Sequence, residues 1–140
     1  MYTEIVDSVI VGVVVITKQT KDYRGQQLKP GAYTMRYALH PIDGNHMGIS
    51  PNRDFLLLTP VSVDVDANAR FTFVELTKMS TKTNGTNHAA PLSLPSAEAQ
   101  KDYPAVTEDD CGHITLTAKI KTQSGAAMLI AIIVKGTAEQ

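Results

Sequence analysis

At 140 residues and 15.1 kDa the chain has the length of one domain, enough to bury roughly two-thirds of its unfolded surface without a disulfide or a structural metal. Hydrophobic residues at 43% and charged residues at 19% place it with globular rather than disordered chains. Thirteen basic against fourteen acidic residues give a net charge of -1 with no Lys/Arg cluster, which argues against a nucleic-acid partner; Cys111, the only cysteine, excludes an intrachain disulfide and leaves the compartment open.

The first predicted strand lies within Ile5 to Thr17. Its centre, Val9 to Ile16, is almost wholly β-branched, which stiffens χ1 and favours strand over helix. Apolar residues on both of its faces predict a central strand covered on each side. This run is about eight residues, well short of the ~20 that cross a bilayer, so no transmembrane segment is expected. No basic segment precedes it, a pattern compatible with a mature chain from which a signal peptide has been cut.

Lys18 to Lys29 is a polar connection containing the turn Asp22-Tyr23-Arg24-Gly25, and Pro30-Gly31 suits the central positions of a type II turn. Ala32 to His40 is the clearest strand. Tyr33, Met35, Tyr37 and Leu39 point one way, and Thr34, Arg36, Ala38 and His40 the other, more polar way. The connection from Pro41 to Asp54 is about 14 residues with two Gly and two Pro, a length more often functional than idle. Phe55 to Thr59 is a buried strand that Pro60 ends or marks as an edge.

Val61, Val63 and Val65 alternate into the acidic stretch Asp64 to Asn68. Phe73, Leu76 and Met79 fall at helical spacing, so a short helix is expected within 71–80. Thr81 to Asp110 reads as extended surface loop with one short strand near Leu92–Leu94. Ile114, Leu116, Ala118 and Ile120 alternate with polar residues, and Gln123-Ser124-Gly125 turns the chain into the apolar strand Met128 to Val134, a hairpin. Five or more strands and at most one short helix predict an all-β fold, an antiparallel β-sandwich or jelly-roll-like arrangement forming one domain over 1–140.

The stretch Gly12 to Pro60 resembles a family of uncharacterised bacterial proteins that carry a secretion signal. The resemblance rests on Asp22-Tyr23-Arg24-Gly25, on Lys29-Pro30-Gly31-Ala32-Tyr33-Thr34-Met35-Arg36-Tyr37, on Asp43-Gly44-Asn45-His46-Met47-Gly48 and on Asp54-Phe55-Leu56-Leu57-Leu58. Gly85-Thr86-Asn87-His88 is similar to the family's second signature, with Ala89 where its Pro usually stands. The resemblance implies an extracytoplasmic β-sandwich, periplasmic or secreted, and brings no activity with it.

Four side chains offer ligands to a divalent metal: His40, Asp43 and His46 in one loop and His88 in another. Imidazole and carboxylate suit Zn²⁺ or Cu²⁺. An irregular loop does not fix their geometry, and the other reading is that these histidines hold the loops by hydrogen bonds. Asp64, Asp66 and Asn68, with Glu75, match the first, third, fifth and twelfth positions of a calcium loop, although Ala69 stands where the sharp turn wants Gly. A solvated acidic turn is the alternative.

Cys111-Gly112-His113 with Met47 or Met128 has the ligand types of a blue-copper site but not its spacing. Glu108-Asp109-Asp110 could pair carboxylates, yet adjacent acids splay apart in extended chain. No nucleophile elbow, zinc-protease helix or phosphate loop is present, so no catalytic residue is assigned. Asn84-Gly85-Thr86 is a glycosylation sequon, and Tyr2, Tyr23 and Tyr103 are the aromatics that could stack on a sugar. The leading expectation is a non-catalytic extracytoplasmic domain that binds a partner or assembles with itself, for instance by strand addition. The alternative is a metal site, structural or catalytic, at the His46 and His88 loops.

Overall fold

A computed structural model describes residues 2, 5–39, 54–122 and 124–137. Strands dominate, in three antiparallel sheets, with one short helix. The largest sheet has the order β1-β4-β5-β6, from Ile10–Ile16, Gly31–Leu39, Asp54–Pro60 and Ala90–Ser93. A two-stranded ribbon pairs β2, Thr20–Lys21, with β3, Gln27–Leu28. The third sheet runs β7-β8-β9, from Ala105–Glu108, Ile114–Lys121 and Ala127–Lys135.

Period-two patterning sets the core. Tyr37 pairs with Leu56, and Leu56 with Leu92, so one apolar row crosses three strands of the large sheet on the same face. Those residues form one buried cluster with Tyr33, Leu58, Leu94 and, from β9 of the other sheet, Ile130 and Ile132. The two larger sheets therefore share an apolar core, to which Val14, Ile16, Ala118 and Ile120 add partly buried flanks. The opposite face of the large sheet carries a second cluster, in which Ala38 and Leu57 meet Leu76 of the helix α1, Phe73–Ser80.

The short helix and the terminal hairpin stand where the residue pattern places them. Three expectations need correction. β1 is an edge strand and not a doubly covered one: Val13 and Val15 are 55% and 66% exposed. β-branching favours the extended backbone, but it carries no information about what lies on either side. The polar side of β4 is not at the surface. Thr34, Arg36 and Ala38 are buried, because the segment after β5 and the helix fold over them. Within 81–110 there are two strands, β6 and β7. β7 sits at an edge with Val106 outward, so it lacks the alternation that would announce it.

Candidate functional site

His40, Asp43 and His46, three of the four candidate metal ligands, lie outside the described residues. His88 is exposed, in a turn held by its backbone: Thr86 Oγ1 accepts from the His88 N–H at 3.1 Å. Among the described residues no three His, Cys, Asp or Glu side chains come together in a way that could hold a metal ion.

The two signature loops of the sequence meet each other. Asp22 is fully buried and its carboxylate accepts from the Arg24 and Gln26 N–H groups at 2.9 Å each and from Gln26 Nε2 at 2.8 Å. The same Gln26 side chain donates to the Ala89 carbonyl at 3.0 Å and accepts from Thr86 Oγ1 at 2.8 Å. Burial raises the Asp22 carboxyl above its ordinary pKa against the lowering pull of those hydrogen bonds. Asp22 thus ties the first turn to the loop carrying His88, which is positioning work.

The calcium candidate resolves into an arginine site. Arg36, at 0% exposure, directs Nε to Asp64 Oδ2 at 2.7 Å and Nη2 to Asp64 Oδ1 at 2.9 Å. Its remaining protons reach the carbonyls of Asp66 at 2.8 Å, Ala69 at 2.9 Å and Ser8 at 2.7 Å. Every guanidinium donor has an acceptor, and the Phe71 ring lies 4.8 Å from Cζ. Thr34 Oγ1 adds a bond to Asp64 Oδ2 at 2.7 Å. A buried guanidinium takes both Asp64 carboxylate oxygens. The Asp66 carboxylate turns to the Asn68 N–H at 3.0 Å, and Glu75 caps the helix.

A cleft of about 660 Å³ opens beside Lys21, Cys111, His113, Lys135 and Thr137. His113 Nε2 meets the Thr137 carbonyl at 3.0 Å, and Nδ1 stands 3.4 Å from Asp109 Oδ2. Both ring nitrogens face oxygens of the protein. Asp109 also receives the Cys111 and His113 N–H groups on Oδ1 at 2.9 Å, which makes it the organiser of this turn. Gly136 is required here, since a Cβ at that position would overlap the His113 ring.

The remaining candidates are engaged with other parts of the protein. Tyr23 is buried against Phe55 and Ile133. The Tyr2 hydroxyl donates to the Pro95 carbonyl and accepts from the Ala131 N–H at 3.1 Å. Tyr103 takes the Gln100 N–H at 2.9 Å and lies under the Lys119 ammonium at 4.9 Å. Nδ2 of the sequon residue Asn84, the atom a glycan would modify, is buried.

What faces outward is the edge of the large sheet. Ala32 of β4 accepts from the Val61 N–H at 3.1 Å, so its backbone groups point towards the β5 side. With period two, Gly31, Tyr33 and Met35 then face β1, and their partners Ile16, Val14 and Gly12 turn their backbone inward. The N–H and C=O groups of Val13 and Val15 face away from β4, on a side where no described strand pairs with them, beneath two exposed valine side chains. Val15, Ala32 and Val61 continue as one apolar row on that face. Sequence reading identified the strand but placed it in the interior. No family model matches the chain, and searches of curated proteins and of solved structures find no match either.

Proposed function

We propose that this is a non-catalytic, extracytoplasmic β-sandwich module that works by binding or assembling through the open edge of β1. One observation carries the reading: among the described residues no strand pairs with the outer side of β1, where Val13 and Val15 also show exposed apolar side chains. Soluble proteins ordinarily protect such an edge with charge, proline or a covering element. β1 has a bulge between Ile10 and Gly12, but no charged residue and no proline from Ile10 to Ile16. Meanwhile Asp22, Arg36, Asp64, Asp109 and His113 hydrogen-bond within the protein, which gives each of them a structural role. The compartment rests on the resemblance carried by the motifs between Gly12 and Pro60.

A photo-crosslinking residue at position 15, compared with one at the exposed position 65, tests the reading in cells expressing the natural gene. Adducts to polypeptide from position 15 and none from position 65 are expected. Equal or absent adducts at position 15 would contradict it. Cell fractionation tests the compartment, with cytoplasmic retention as the adverse result.

A further inference from the structure

We infer that the occupant of the β1 edge is β1 of a second copy, paired antiparallel about a twofold axis at Val14. The inference rests on the interaction reading above and names its partner.

The register follows from which backbone groups are open. Val13 and Val15 direct their N–H and C=O outward, while Gly12, Val14 and Ile16 are engaged with β4. An antiparallel pairing that joins open groups to open groups sets Val13 opposite Val15 of the second copy, each exchanging both backbone bonds with the other. Val14 then lies opposite Val14 of the second copy as a non-hydrogen-bonded pair on the axis. Ile16 of the second copy falls opposite Gly12, the one position of β1 without a side chain. On the outward face the four valines Val13 and Val15 of both copies meet in one apolar cluster.

Charge does not oppose an identical strand. β1 has none of its own, so a second copy meets no like charge along it. The nearest lysine, Lys18, stands four residues from the axis, which separates the two copies of it by roughly 26 Å at about 3.3 Å per residue. That exceeds the screening length of about 8 Å at physiological salt. The pairing is isologous and therefore closes at two copies. Two of the other sheet edges are less suited. β6 is covered by the Tyr23 N–H donating to the Pro91 carbonyl at 2.8 Å, and β7 has only four residues and ends on Glu108.

Sedimentation equilibrium of the full chain is expected to give a concentration-dependent dimer. Val13→Lys with Val15→Lys should give a monomer of unchanged circular dichroism, and Val65→Lys should stay dimeric. A wild-type monomer at every concentration overturns the inference, as does a double variant that still dimerises. A wild-type monomer that nonetheless crosslinks to another polypeptide from position 15 overturns the twofold pairing and leaves the interaction reading standing. A second measurement is independent of how the lysines affect folding. In a Cys111→Ser background, Val14→Cys should form an intermolecular disulfide on mild oxidation, because paired Cα atoms about 4.5 Å apart lie within disulfide reach. Val13→Cys, displaced by two residues from its copy, should not. Equal cross-linking at both positions, or none at 14, counts against the register.

Discussion

A guanidinium carried beneath a sheet loses its water, and the chain must return every hydrogen bond it gave up. Arg36 gets them from Asp64 and from the carbonyls of Ser8, Asp66 and Ala69. Asp64→Ala leaves that charge buried and unpaired, and urea unfolding should register a loss of about 3–5 kcal/mol. Arg36→Met should be no milder, because three carbonyls lose their donor as well. Hydrogen bonds from Arg36, outweighing the effect of burial, hold the Asp64 carboxyl below its ordinary value of 3.8. The folded protein therefore binds that proton less tightly than the unfolded chain. Its stabilising contribution is complete above about pH 4 and disappears as pH falls through the lower folded value. Unfolding free energies measured at falling pH should drop in the wild type and drop less in Asp64→Ala. An equal slope for both would show that other groups govern acid unfolding. Sequence reading found Asp64 and Asp66 as oxygen donors but not the cation they surround, because Arg36 lies 28 residues earlier in the chain from Asp64 and looked solvent-facing.

Tyr37 gives the alkaline counterpart. Burial, followed by the Asp54 charge, pushes its phenol from 10.0 to about 12. The folded state then holds this proton more tightly than the unfolded chain, so its contribution is present below pH 10 and lost as pH rises towards 12. Ultraviolet titration should find a late-ionising tyrosine component that is diminished in Tyr37→Phe. A normal titration of all tyrosines would contradict this placement.

At the scale of elements, α1 shows how much a local signal can carry. Thr72 Oγ1 accepts from the Glu75 N–H at 3.1 Å while Glu75 Oε1 accepts from the Thr72 N–H at 2.9 Å, a capping box that fixes where the helix begins. Thr72→Ala should cost about 0.5–2 kcal/mol in thermal or urea unfolding, without altering the exposed edge of β1. No change in stability would mean that packing of Leu76 alone holds the helix. Helical spacing of Phe73, Leu76 and Met79 made this element legible, as alternation did for β4 and β8. β1 was legible as a strand and illegible as an edge. Backbone preference is a local property, whereas neighbour number is decided by strands that arrive later in the sequence. β7 was missed for the related reason that a short, mostly exposed edge strand needs no apolar period.

For the molecule as a whole, several polar side chains are turned inward, and two of the exposed valines, Val13 and Val15, lie on one sheet edge. The sharing of a core between the two larger sheets was legible, since Tyr33, Tyr37, Ile130 and Ile132 announce their faces by period. The candidate surface was not, because it consists of backbone groups that no residue type advertises. The most direct measurement is amide hydrogen exchange, resolved by residue, across protein concentration. In dilute solution Gly12, Val14 and Ile16 should be protected by β4, while the Val13 and Val15 amides exchange freely. As concentration rises, protection should appear at Val13 and Val15 together and remain unchanged at Val14. Amides of Val13 and Val15 that are already protected at the lowest concentration, or that never become so, would contradict an open edge awaiting a partner strand.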